Sequence, residues 1–253
     1  MEHELLNSMK IVWIEETTST NSEVLKYADN LPDGIILSAR CQTSGRGQKG
    51  NKWEAEPYKN LSFSAMWSPE KFEAVDQFAI SEAVALSVVD LLAKEGIPAK
   101  VKWPNDIYVD DRKICGILIE HSVMGREISR TIAGVGINVN QIRFISDAPN
   151  PVSMTSVTGR EYDLELLLCN FDEILSRNVL KIATIQGREE MHQRFCREMW
   201  RFDGNAYHFR DKTRDEIYQG KIVCVNKNGM LSVLDILNGG ISEYAFKEVE
   251  FIL

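Results

Sequence analysis

Between Ser38 and Trp53 the chain reads SARCQTSGRGQKGNKW, and the glycines at 45, 47 and 50 restrict what its backbone there can become. Glycine weakens helix and strand interiors but takes positive φ without strain, and successive amides in such a turn form a concavity that binds anions. Arg46, Lys49 and Lys52 alternate with these glycines, and the apolar run Gly34-Ile35-Ile36-Leu37 leads into them. The pattern predicts a strand that delivers a basic loop to a negatively charged guest. It is not a Walker A loop, which needs GxxxxGK[ST] at the start of a helix. Here Gly45 is followed by Gly50-Asn51-Lys52. The plain alternative is a solvated hairpin tip, since Gly, Asn and Lys are ordinary turn residues.

The whole chain bounds that reading. Its 253 residues suit one large or two modest domains, and 44% hydrophobic with 26% charged residues is ordinary globular composition. A net charge of -8 and a pI of about 5.2 argue against general nucleic-acid binding, which needs a broad cationic surface. Cys41, Cys115, Cys169, Cys196 and Cys224 show no CxxC spacing, and an odd count suggests reduced thiols acting as small core residues. With four dispersed histidines, a Cys/His zinc site is not expected. MEHELLNSMK has no signal-peptide core, and no run reaches the roughly 18 apolar residues of a membrane span. A soluble, cytoplasmic protein without a membrane partner is expected.

In chain order, Ile11 to Ile14 reads as a strand, and Thr17 to Ser22 leads into a helix to about Asn30 that Ser19 or Thr20 would cap. A strand from Ile35 to Cys41 follows, then a half-buried alternating strand from Leu61 to Trp67. Phe78 to Glu95 is apolar on most faces and closed by Gly96 and Pro98, as befits a buried spine. Lys100 to Lys102 and Ile107 to Val109 are strands around Trp103-Pro104-Asn105-Asp106. Asp110-Asp111 turns into Lys113 to Glu120, and Gly125-Arg126 into Ile128 to Val139. Two helical segments, Asp163 to Ile182 and Gln186 to Trp200, complete a mixed sheet with helices against it. From Ala206 the texture becomes short alternating runs divided by Asn228-Gly229 and Gly239-Gly240, a small all-β barrel. The division falls between 1–202 and 203–253.

The second chemical stretch is VKWPNDIYVDDRKICG. Pro104 pushes Trp103 toward extended backbone, so Lys102, Asn105 and Asp106 sit on a rigid turn. An Asn-Asp pair beside a cationic loop suits Mg²⁺ through oxygens or waters, while its bland reading is an Asx turn. Lys113 needs an anionic partner if it points inward, and is otherwise a solvated edge lysine.

GRGQKGNKW, KWPND, DRKICGILIE and GVGINVN, in this order and spacing, resemble the biotin protein ligase family, also called biotin-[acetyl-CoA-carboxylase] ligase or holocarboxylase synthetase. The likeness runs from Ser19-Thr20-Asn21 to the terminal barrel. It implies an α+β class II synthetase-like catalytic domain, a mixed sheet flanked by helices, followed by an SH3-like barrel. The implied reaction activates biotin with ATP and Mg²⁺ to biotinyl-5'-AMP, then acylates a lysine of a biotin carboxyl carrier domain. By the same likeness Arg46 and Lys113 are the catalytic cations, meeting the carboxylate and α-phosphate. Ser19, Thr20, Asn21, Gln42, Gly45 and Gly116 join them around biotin. Gly47, Gln48, Trp53, Asn105, Asp106 and Asn138 face the nucleotide with them, Asn105 and Asp106 also holding metal.

Two departures and two competitors accompany the resemblance. The second basic position of the glycine motif is Gln48, for which Lys49 is expected to compensate. Some members carry an N-terminal winged helix-turn-helix that binds operator DNA. The first strand here starts at about Ile11, so DNA is not an expected partner. A homodimer through a sheet edge is consistent with the family. A lipoate ligase would share the chemistry, although KWPND with GRG favours biotin; an anion-binding interaction protein would leave the three polar stretches converging without purpose.

Overall fold

A computed structural model describes residues 8–48, 51–145 and 150–252. Nine strands precede the first long connection: β1 Lys10–Thr17, β2 Ile35–Gln42, β3 Gly45–Arg46, β4 Lys52–Trp53, β5 Leu61–Trp67, β6 Ala99–Lys102, β7 Asp106–Val109, β8 Arg112–Met124 and β9 Glu127–Ile137. Seven of them form one mixed sheet in the order β1-β2-β5-β9-β8-β7-β6, and β3 pairs with β4 as a separate hairpin. Only the β1–β2 pairing of this sheet is parallel. A parallel pair needs a crossover, and helix α1 (Thr20–Tyr27) supplies it.

Four more helices follow: α2 Gln77–Lys94, α3 Met154–Thr158, α4 Leu164–Ile182 and α5 Ile185–Arg197. α2 is apolar around most of its circumference because it lies between the sheet and the α4–α5 pair. Asp163 caps α4 by accepting from the amides of Glu165 and Leu166 at 2.8 and 3.1 Å. Phe63 of β5 meets Phe171 of α4 edge-on at 4.9 Å, which marks the helix-backed face of the sheet.

β10 (Tyr207–Asp211), β11 (Glu216–Val225), β12 (Leu231–Asp235), β13 (Ile241–Tyr244) and β14 (Val249–Phe251) form a second, antiparallel sheet in the order β13-β12-β11-β10-β14, consistent with an SH3-like domain. Its buried Asp211 accepts from Thr213, Arg214 and Tyr244. Burial raises that carboxyl, but the hydrogen bonds win and hold it below the usual carboxylate range. Phe209, Val249 and Phe251 belong to the same hydrophobic cluster as Tyr108 and Trp200 of the first sheet's flank. The Trp103 indole N–H also donates to Gly229 O at 2.9 Å, joining the KWPND turn to the second sheet.

The fold corrects three expectations. Leu61–Trp67 is buried at every residue, because β5 lies inside the sheet with α4 on one face and α1 against the other. Ser19 occupies the N-cap position of α1 without a side-chain capping bond, which leaves its hydroxyl to the cavity described below. Cys169 and Cys224 are exposed, so of the five free thiols only Cys115 is a core residue.

Candidate active site

Strand pairing places one residue from each of six strands in a row: Ala39, Ser62, Gly136, Gly116, Asp106 and Lys102. Every second residue of a strand shares a face, so Leu37, Ser64, Gly134 and Leu118 form the adjacent row. These small residues hollow the face away from α4, and a cavity of about 410 Å³ opens over them.

Two glycines make that floor usable. A Cβ at Gly136 would lie 2.3 Å from the Trp53 indole, and one at Gly134 only 2.2 Å from Asn21 Oδ1. GVG on β9 therefore lets one side chain from the β3–β4 hairpin and one from α1 lie flat on the sheet. Sequence reasoning quoted this motif without giving its glycines a role; their two-residue spacing on a strand is the signal.

At one end the cavity is rich in hydrogen bonds and carries no net charge, Arg46 pairing there with Glu120. Gln42 Oε1 accepts from the Thr20 amide at 3.0 Å, and the Ser64 hydroxyl is 2.7 Å from the Thr20 hydroxyl and within bonding reach of Asn21 Oδ1. Asn21 Nδ2 donates to Leu118 O and to Glu120 Oε2, at 3.2 and 2.8 Å. At the other end it is charged. Lys113 Nζ pairs with Asp106 Oδ1 at 2.7 Å and lies 5.6 Å from the Trp53 ring. Lys102 lies beyond them, and Lys212, Phe246, Lys247, Val249, Glu250 and Phe251 of the second sheet wall that end. Nothing local in the sequence linked these late residues to the motifs; only the fold does.

Four buried side-chain polar atoms have no protein partner among the described residues, and three of them belong to the cavity: Gln48 Oε1, Trp53 Nε1 and Ser62 Oγ. A buried donor or acceptor without a partner costs about 1–3 kcal/mol, so their gathering here marks a place built for a polar guest.

A family model described as "Biotin/lipoate A/B protein ligase family" matches residues 13–138. Over 168 residues the chain is 32% identical to the biotin--[acetyl-CoA-carboxylase] ligase of Paracoccus denitrificans, covering 61% of this chain and 67% of that protein. The chain belongs to the biotin protein ligase family. It is also 32% identical over 149 residues to the bifunctional ligase/repressor BirA of Salmonella typhimurium, 58% of this chain but only 46% of that protein. Its fold superposes on the biotin protein ligase from Aquifex aeolicus in complex with biotin and ATP with a TM-score of 0.78, at 28% identity, covering 95% and 97% of the two chains.

Of the family positions carried over from the sequence, Ser19, Thr20, Asn21, Gln42, Arg46, Gly47, Gln48, Trp53, Asn105, Asp106, Lys113 and Gly116 line the cavity. Gly45 and Asn138 do not. Gly45 packs its Cα against Trp53 and Gln42 in the hairpin. Asn138 is buried and donates to Val152 O at 3.0 Å, while its amide donates to Ile114 O at 2.9 Å; it anchors the strand that carries Lys113. Arg46 and Lys113 face different partners: Arg46 pairs with Glu120 at 3.2 Å, whereas Lys113 pairs with Asp106, its ammonium reaching Gly116, four residues along β8 from Glu120. Lys49 and Gly50 lie outside the described residues.

The donors for magnesium are sparse. Asp106 is engaged by Lys113, Asn105 Nδ2 donates to Ile117 O, and no group of three or more His, Cys, Asp or Glu suited to a metal occurs among the described residues. One carboxylate fits an ion that arrives with nucleotide phosphates, the usual habit of Mg²⁺, rather than a cage made by the protein. Nor is any helix among the described residues long and apolar enough to cross a membrane.

Proposed function

We propose that this protein is an ATP-dependent biotin ligase, which joins biotin to AMP and then passes the acyl group to a lysine of a biotin carboxyl carrier domain. The observation that carries this reading is a cavity whose hydrogen-bonding end carries no net charge and whose other end is cationic. Biotin has the same polarity: an uncharged ureido ring and a carboxylate at the end of an apolar chain. Ser19, Thr20, Asn21 and Gln42 are suited to the ring, the Trp53 indole to the apolar chain, and Lys113 to the carboxylate.

In the first step a biotin carboxylate oxygen attacks the α-phosphorus of ATP, and pyrophosphate leaves with the bonding pair. Two anions must meet, so the barrier is largely electrostatic, and a preorganised ammonium lowers it. Asp106 holds Lys113 in place while the ammonium's remaining N–H bonds face the reacting oxygens. Mg²⁺, when bound, adds neutralisation of the phosphates, with Asp106 the residue placed to help hold it. In the second step the carrier's amine attacks the biotinyl carbonyl, AMP leaves, and an amide forms. The chain supplies no nucleophile. Arg46 is proposed to act on the adenylate once the β3–β4 hairpin brings it from Glu120 toward Lys113.

Biotin-dependent ATP–pyrophosphate exchange, without carrier and with lipoate as control, tests the reading. Exchange with biotin alone is expected. Exchange with lipoate instead reassigns the acid, and none from folded protein overturns the assignment.

A further inference from the structure

Lys102 is a partly buried lysine with no carboxylate at ion-pair distance among the described residues. Its Nζ donates to the Tyr108 hydroxyl at 3.1 Å and otherwise faces rings, with centroids at 4.7 Å for Tyr108, 5.7 Å for Phe251 and 5.9 Å for Trp200. The nearby carboxylates are committed elsewhere: Asp106 to Lys113 at 2.7 Å and Glu250 to Lys212 at 3.2 Å. Burial lowers the pKa of this ammonium, and Lys113 and Arg201 lower it further against the opposing pull of Asp106 and Glu250. An ammonium in such a place is tolerated most easily when an anion completes its shell.

Its position says which anion. Lys102 ends the floor row, opposite Asp106, which is in turn opposite Gly116 beside the Lys113 ammonium. Neighbouring strands are about 4.8 Å apart, so Lys102 on β6 stands roughly 10 Å beyond β8, on the side away from the neutral end. With biotin at the neutral end and the reacting carboxylate and α-phosphate at Lys113, two groups extend from the α-phosphorus; in-line displacement sets the leaving β,γ-diphosphate opposite the attacking carboxylate, and it, unlike adenosine, is the anion an ammonium needs.

We infer that Lys102 binds the β,γ-diphosphate of ATP, the part that leaves as pyrophosphate, in a pocket closed by Phe251 and the second sheet. This rests on the adenylating function proposed above. The ammonium would stabilise charge that gathers on the leaving group as the P–O bond breaks.

The first test needs no turnover. Wild-type protein is treated with an acetylating reagent with and without inorganic pyrophosphate, and modification of each lysine is followed by mass spectrometry. Lys102 is expected to be protected at least about fivefold, as a charge-assisted contact would give, while Lys94 and Lys221 are not. Unprotected Lys102 overturns the assignment. The second test is Lys102→Met, which keeps the stem among the rings, beside Lys102→Arg. For Lys102→Met, KM for ATP and for pyrophosphate in exchange should rise about tenfold, with biotin affinity and transfer from preformed biotinyl-AMP within about twofold of wild type. Lys102→Arg should recover part of the loss. Unchanged KM values in Lys102→Met refute the inference, and if that variant does not fold the protection result decides. Absence of exchange in the wild type would instead refute the ligase reading, leaving pyrophosphate protection to judge Lys102 by itself.

Discussion

The seven-stranded sheet has two faces built by opposite rules. Toward α2 and α4 it presents Phe63, Trp67, Val135 and Ile137, all buried and packed with large side chains. Toward the cavity the same strands present Ser62, Ser64, Gly134 and Gly136. Each strand thus alternates bulk that stabilises with absence that makes room, and the two kinds of residue answer to different measurements.

Phe171→Ala should hit stability hardest. It removes a fully buried ring that meets Phe63 edge-on, so urea denaturation should show a loss of about 3–5 kcal/mol, with biotin affinity of the folded fraction unchanged. Lys113→Ala should do the reverse, lowering adenylate synthesis by roughly 10²–10³ in a pyrophosphate-exchange assay while retaining much of the biotin binding and a normal melting temperature. Gly136→Ala tests the floor itself. Its methyl collides with the Trp53 indole, and a displacement of that kind should lower kcat/KM about a hundredfold. A crystal structure of that variant with Trp53 unmoved would contradict the role given to the glycine.

The two smallest effects separate the faces most cleanly. Behind the sheet, His192 Nδ1 lies 2.6 Å from Glu82 of α2, and the Cys196 sulfur and the Glu82 carboxylate raise the imidazole to about 10. A raised folded pKa stabilises fully below the unfolded value near 6.5 and is lost as pH climbs toward 10. Relative to His192→Gln, wild-type unfolding free energy should therefore fall by about 1 kcal/mol across that window, after allowance for partial exposure. Ser62→Ala removes a buried hydroxyl with no partner among the described residues. Stability should hold or rise by up to about 1 kcal/mol, while affinity for biotin or ATP drops about threefold to tenfold. A loss of stability with unchanged affinity would make Ser62 a packing residue and blur the contrast.

Much of this was legible in the chain because the motifs sit on elements whose periodicity is strong. The glycine stretch is a hairpin, KWPND is the β6–β7 turn, and the long apolar helix is the spine. What escaped was set by distance in sequence. α3 has five residues, too few for a helical pattern, and is held by Ser153 accepting from the Ser156 amide. β10 and β14 are short and pair with each other across the terminal sheet. Phe246 and Phe251 reach the cavity only because Trp103 and Trp200 bind the second sheet to the first. The motif glycines at 45, 134 and 136 were visible as letters, but whether a glycine admits a ligand or a neighbouring side chain depends on what lies above it.

Trp53 resting on the glycine floor has an optical consequence. Its indole N–H is buried, has no partner among the described residues and is set beside a lysine ammonium, so any guest that packs on the open side of the ring or bonds that N–H changes the polarity around an emitting group. The protein carries its own occupancy gauge. Tryptophan emission, with Trp53→Phe as the silent reference, would report filling of the cavity in real time and without a label.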